Sequence, residues 1–279
     1  LATSSAASDV YKRQDLTNKN ILITGAAQGI GLGITKHALK NNASVIMLDS
    51  NNDLLEETSD ALKSTHEGKV FNYNLDLMDD HAYISVINNF HNEFGGIHGF
   101  CNNAAASSGL GELHTFSNTD FDKTLDLSFK MLWLSLKCEI QYLTEQSLTA
   151  SIVNISSNAA LRGYANNSIY AASKAAVNSL TLSAAKELGK KNIRINAISP
   201  GTILTPGVKN YFKQEPNAED YLKSSILLNR IGTPEDIGNA VSFLLSEDSK
   251  YIHGQVISID GGSSTVSYTH LTLPTTLQV

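Results

Sequence analysis

The chain passes from an apolar strand into a helix through a cluster of glycines near its start. Residues 20–24 (NILIT) are an apolar run, and they lead into Gly25-Ala26-Ala27-Gln28-Gly29-Ile30-Gly31. Helical periodicity begins at about Gly29 and lasts to about Asn41. The order then repeats. Strand-like runs at 44–48, 69–75, 99–102, 151–156, 193–198 and 256–259 are separated by helical stretches at 54–65, 81–94, 121–143, 169–188 and 234–246. Strands that alternate with helices pair in parallel, because each helix carries the chain back across the sheet with one hand. The expected fold is therefore α/β: a single doubly wound parallel sheet with helices on both faces. No internal repeat and no linker divides it.

The composition agrees with a large buried core. Charged residues are 17% of the chain, below the usual quarter, and 42% are hydrophobic, which excludes a disordered or collagen-like protein. A net charge of −6 with no basic block argues against a nucleic-acid or anionic-membrane partner. No uncharged apolar run approaches the ~18 residues of a membrane span. The eight histidines are scattered, so no metal site is expected. Cys101 and Cys138 read as core thiols of a reducing compartment, and the expected location is cytoplasmic. Residues 1–14 and 265–279 resemble vector- or adapter-derived translation, and 1–14 lack the apolar centre of a secretory signal. The domain is expected to span 15–264.

At a strand-to-helix turn, glycines let a pyrophosphate approach free backbone amides where the helix dipole favours an anion. The second strand ends at Asp49, about two dozen residues beyond Gly25. A carboxylate there accepts the adenosine-ribose hydroxyls and repels a 2′-phosphate. The surrounding LDSNND has no Arg or Lys to receive such a phosphate, so the expected cofactor is NAD(H). Asp76, at the end of the third strand, is in reach of the adenine.

Tyr170 and Lys174 are four apart in a helical stretch and share one face. Ser157 lies thirteen residues earlier, just past the strand SIVNIS, on the ligand-binding side of such a sheet. An ammonium beside a phenol favours the phenolate, and lowering its pKa by ~3 units needs about 4 kcal/mol of differential interaction.

With these residues the chain resembles the short-chain dehydrogenase/reductase family. The matching pieces are TGAAQGIG, Asp49, NLDL, NNAA, NISS, YAASK, NAISPGTILT, RIGTPEDI and GQVISIDGG, in that order over residues 15–264. The resemblance implies a Rossmann fold and an alcohol–ketone oxidoreductase. It assigns Tyr170 as general acid/base on the substrate oxygen, Ser157 as the group that holds that oxygen, and Lys174 as the modulator of Tyr170 and ligand of the nicotinamide ribose. It puts Gly25, Gln28, Gly29, Ile30 and Gly31 on the pyrophosphate. Asp76, Leu77 and Asn103 fall on the adenosine side, and Ile203 and Thr205 on the carboxamide.

Three positions depart from the family pattern. Ala105 replaces the last glycine of Asn-Asn-Ala-Gly. Gly33 interrupts the first helix at up to ~1 kcal/mol against alanine. Ser128 stands where the family has an asparagine that holds a relay water; serine is shorter and still able to bind water, so slowed or re-routed proton transfer is expected. The helix 121–143 carries two apolar stripes, one through Leu132 and Leu136 and one through Met131, Leu134 and Cys138. This implies the sheet on one side and a second subunit on the other, and the family resemblance implies a homotetramer or a homodimer through this helix. Residues 205–229 read as a substrate lid, with Arg162 and Tyr164 at the pocket mouth. Two other readings remain: an NADP(H)-dependent 3-oxoacyl-carrier-protein reductase, and a catalytically silent nucleotide-binding regulator.

Overall fold

A computed structural model describes residues 14–265. The two flanks assigned to foreign translation lie outside the described residues, apart from Gln14 and Thr265. Seven strands alternate with helices: β1 Asn20–Thr24, α1 Gly29–Lys40, β2 Ser44–Asp49, α2 Asn52–Lys63, β3 Val70–Asn74, α3 Asp80–Phe94, β4 Gly99–Asn102, α4 Asn118–Leu125, α5 Met131–Glu145, β5 Ser151–Ile155, α6 Ser168–Leu188, β6 Arg194–Pro200, α7 Pro206–Gln214, α8 Ala218–Ser224, α9 Pro234–Leu245 and β7 Val256–Ile259. The strands form one parallel sheet in the order β3-β2-β1-β4-β5-β6-β7. The order reverses between β1 and β4, which opens a crevice beyond the carboxyl ends of those strands.

Alternation along each strand divides the core in two. Ile21, Ile23, Val45 and Met47 pack with α1 and α9 on one face. Leu22, Ile46, Leu48 and Phe100 pack with α3, α5 and α6 on the other. Gly33 has a packing reason that the first helix alone did not reveal. A Cβ there would lie 2.7 Å from the Pro234 carbonyl, and one on Gly238 would lie 2.7 Å from the Gly33 carbonyl. The close crossing of α1 and α9 offsets the helical penalty.

The long helix differs from its expected form. It runs from Asn118 to Glu145 and is interrupted at Asp126–Lys130 by a π turn, closed by Met131 N–H donating to the Asp126 carbonyl. Beyond that turn α5 is regular, and neighbouring α3, α6 and the sheet cover it on both stripes. Leu132, Leu136 and Leu143 from one stripe and Met131, Leu134, Cys138 and Tyr142 from the other are all buried, and so is the polar strip Ser128, Ser135 and Glu139 between them. The premise that one whole stripe faces outward is corrected: among the described residues, the exposed large apolar side chains of the expected helix 121–143 are Phe121 and Trp133.

Glu139 is fully buried. Its Oε1 accepts from the Tyr83 hydroxyl at 2.8 Å and its Oε2 from Asn102 Nδ2 at 3.1 Å. Asn102 Nδ2 also donates to Asn154 Oδ1, and Asn154 Nδ2 to Thr181 Oγ1, so one polar chain ties α3 and α5 through β4 and β5 to α6. Burial pushes the Glu139 carboxyl up from 4.5 to about 7, against the lowering effect of its two donors. A carboxyl raised in this way takes up a proton on folding between those values. Its contribution to stability is therefore highest below about pH 4.5 and falls by about 3 kcal/mol as pH rises to about 7. His37 and His98, lowered by burial, act in the opposite sense over part of that range. The difference between wild type and Glu139→Gln isolates the carboxyl. Chemical unfolding of both should give a difference that shifts by about 3 kcal/mol in favour of the variant between about pH 5 and pH 8. A pH-independent difference would contradict the assignment.

Candidate active site

The first turn is held from across the switch point. Gly25 adopts φ +63°, a left-handed conformation suited to glycine. Thr24 Oγ1 accepts from the backbone N–H of Asn103 at 3.0 Å and of Ala104 at 3.1 Å. Asn103 Nδ2 donates in return to the carbonyls of Thr24 at 3.0 Å and Gly25 at 3.1 Å. A Cβ on Gly31 would run into the Gly25 carbonyl and lie 2.7 Å from Asn103 Nδ2. Gly29, with φ +57°, completes the turn. At the N-terminus of α1 the Gln28 side chain makes no capping bond, and no acid lies in the first turn. Its amides are thus left for an anion.

This turn borders a cavity of about 610 Å³ that Gly25, Gln28, Ile30, Asn103 and Thr205 line. Asp49, Asp76 and Leu77 line its far end, and Ser157, Tyr170 and Lys174 its near end. The half-buried Asp49 is oriented by two backbone donors, Ala27 N–H to Oδ2 at 3.1 Å and Asn51 N–H to Oδ1 at 3.0 Å. Asp76 Oδ1 accepts from Met78 N–H at 2.9 Å, and Leu77 is buried beside it. Lys174 is the one cationic side chain among the described lining residues. Glycine-shaped space, free helix amides and an oriented carboxylate fit a nicotinamide dinucleotide. Gly25, Gln28 and Ile30 would hold its pyrophosphate and Asp49 its adenosine ribose.

The near end is built by β5 and α6. Ser157 follows β5, and its Oγ accepts from Ala159 N–H at 3.1 Å. Lys174 is 1% exposed, and its Nζ donates to the Ile155 carbonyl at 2.9 Å. Burial lowers its amine from 10.5 to about 8. The Lys174 Nζ lies 5.8 Å from the centre of the Tyr170 ring. Burial raises the Tyr170 phenol above its ordinary value, and a hydrogen bond with Ser157 acts in the other direction. The expected lowering by the lysine is not seen, because burial is the larger effect and the ammonium is directed to Ile155. A neutral phenol beside a serine hydroxyl is able to donate a proton.

Other expected residues fall elsewhere. The Ser128 hydroxyl donates to the Ala106 carbonyl, and Ala106 N–H donates to the Leu127 carbonyl at 3.4 Å. Ser128 therefore fastens the loop after β4 to the π turn, and its neighbours Leu127 and Met131 line the cavity instead. Ala105 lines that cavity too. Ile203 borders an adjoining cavity, as does Tyr164. Arg162 is directed away from the mouth, with Nη1 donating to the Ser263 carbonyl at 2.7 Å. The ties made by Thr24 and the wall formed by Met131 escaped the sequence reading. Both depend on strand register and on the π turn, for which no local signal exists.

A family model described as enoyl-(acyl carrier protein) reductase matches residues 25–264. The chain is 33% identical over 254 residues to levodione reductase from Leifsonia aquatica, covering 89% of this chain and 95% of that protein. It is 36% identical over 250 residues to a 3-oxoacyl-acyl-carrier-protein reductase from Thermotoga maritima, covering 88% and 98%. Among solved structures, ElxO with NADP bound superposes with a TM-score of 0.84 at 33% identity, covering 89% of this chain and 99% of that one. With the cradle, the Ser157–Tyr170–Lys174 cluster and these relatives together, the chain belongs to the short-chain dehydrogenase/reductase family. It is a nicotinamide-binding oxidoreductase that interconverts alcohols and ketones.

Proposed function

We propose that the chain is an NAD(H)-dependent dehydrogenase of secondary alcohols and reductase of the corresponding ketones. The observation that carries this reading is the convergence of Ser157, Tyr170 and Lys174 at one end of a cavity whose other end holds Asp49. The nicotinamide, when bound, supplies or accepts the hydride. Ser157 holds the substrate oxygen, and Tyr170 gives that oxygen a proton in reduction or removes one in oxidation. The buried Lys174 binds the ribose hydroxyls and adds positive charge behind the phenol once loaded. Leu48, Leu75 and Leu77 exclude water from the adenosine end.

Asp49 supports NAD over NADP, since a 2′-phosphate would meet its carboxylate with no cation beside it. An NADP-dependent 3-oxoacyl-carrier-protein reductase is the second reading, favoured by the Thermotoga maritima relative and by the NADP in ElxO. We also propose a homotetramer or homodimer through the long helix. Exposed Phe121 and Trp133 on that helix, with Leu182 on α6, support it in place of the outward stripe. The buried free thiols Cys101 and Cys138 support a cytoplasmic setting.

The test is reduction of NAD or NADP by a panel of secondary alcohols, by wild type and by Tyr170→Phe. The expected result is at least a tenfold preference for NAD in kcat/KM, and loss of turnover in the variant with NADH binding retained. Preference for NADP would favour the second reading. Normal turnover by Tyr170→Phe would contradict the proton role. Binding of NADH without turnover of any alcohol or ketone by wild type would identify the silent regulator.

A further inference from the structure

A second cavity, of about 950 Å³, shares Ser157, Tyr170 and Thr205 with the first and extends away from Asp49 under α7 and α8. We infer that it selects uncharged, largely apolar, ring-sized alcohols or ketones, and that carbonyl substrates bearing an anionic group within the cavity are disfavoured. The inference rests on the oxidoreductase reading and adds the class of substrate to it.

Size is the first argument. The cavity is at the upper end of the ~300–1,000 Å³ usual for small-molecule sites, far more than a short open-chain alcohol fills. Its walls are the second. Leu110, Tyr164, Val208, Tyr211 and Leu222 supply aliphatic and aromatic surface on several sides. Leu110 and Tyr211 are open to solvent, at 73% and 46% exposure. Apolar surface held open beside the reacting groups gains from covering by an apolar ligand, at about 25 cal/mol per Å². The polar side chains in the wall, such as Thr115, Asn158 and Asn167, are neutral and able to hydrogen-bond a second oxygen on a ring.

Charge is the third argument. Among the described lining residues no Lys, Arg or His is present, and the one carboxylate is Glu112. The nearby cations are engaged or outside the lining. Arg162 is held by the Ser263 carbonyl, and Lys223 pairs with Glu219 at 2.7 Å. His114 lies 3.5 Å from Glu112, so that pair is at most neutral. Lys209 and Lys213 are exposed on α7 and do not line the cavity. A carboxylate or phosphate entering this space would lose water without gaining a cation, and would approach Glu112. The same chemistry disfavours a thioester whose phosphate reaches the cavity.

The experiment compares 4-ethylcyclohexanone, 4-oxocyclohexanecarboxylate and acetoacetyl-CoA as substrates with NADH. The first two share a ring and differ in charge. The expected kcat/KM for the neutral ketone exceeds that of each anionic substrate at least tenfold. In Leu110→Lys and Glu112→Lys, on the exposed rim, the neutral-to-carboxylate ratio should fall at least tenfold. Calorimetric binding of the alcohol products to the NAD-loaded Tyr170→Phe enzyme should follow the same order of affinity. A wild-type ratio below ten, or a ratio unmoved in both lysine variants, overturns the inference and leaves the oxidoreductase reading intact. Turnover of none of the three by wild type overturns that reading, and the substrate class with it.

Discussion

The site depends on an ammonium group carried into the interior. Lys174 is buried at the join of β5 and α6, and its Nζ has one protein acceptor, the Ile155 carbonyl. A charge taken from water in this way is costly unless it is hydrogen-bonded or neutralised, and the lowered amine value is the direct sign of that cost. The surrounding backbone fixes where the group can be. Ser156 Oγ donates to the Lys174 carbonyl at 3.1 Å, so the end of β5 grips the helix that carries both Lys174 and Tyr170. Tyr170 is one helical turn away and half-buried between the two cavities, and burial pushes its phenol above the ordinary value. The two groups are thus poised in opposite directions by one cause. The amine is easier to deprotonate and the phenol harder.

A second buried ionisable group lies behind the site. Glu139 is tied to Tyr83 and Asn102, and among the described residues it has no salt bridge. Its polar chain reaches β4 and β5 one residue before the segments that form the cavity wall. Asn102 adjoins Asn103, which clamps the Gly25 turn, and Asn154 adjoins Ile155, which accepts from Lys174. Buried polar networks are costly when incomplete and rigidifying when satisfied. Both carboxylate oxygens of Glu139 have donors while the buried Asn102 Oδ1 has no partner, so the network ties the two strand ends from which the site is built and carries one unpaired acceptor.

The legible parts of this protein were those encoded by short-range spacing. NILIT followed by glycines, the four-residue step from Tyr170 to Lys174 and the position of Asp49 after an apolar run all report local geometry. Strand and helix order therefore emerged within a few residues of the observed bounds. The rest depended on contacts between distant segments. Gly33 is a blemish by helix propensity alone, and only the distant Pro234 packed against it explains its place. Ser128 read as a relay residue by alignment, yet the π turn directs its hydroxyl to Ala106. Both apolar stripes of α5 are buried because α3, α6 and the sheet pack around that helix, contacts that a 3.6-residue period does not report. Arg162 read as a pocket residue by nearness to Ser157, and it instead bonds a carbonyl about a hundred residues away. A periodicity argument has no access to such register-dependent partners.

Two cavities meet at Ser157, Tyr170 and Thr205, and the buried amine of Lys174 lines the first of them. The state of that amine is measurable in the protein alone. Carbon-13 labelling of the lysine side chains, with Lys174 assigned by a Lys174→Arg control, gives its titration by NMR. The account predicts a midpoint near the value of about 8 set by burial, below the 10.5 of an exposed lysine. A midpoint at the ordinary lysine value would contradict the claim that desolvation governs the chemistry of this site.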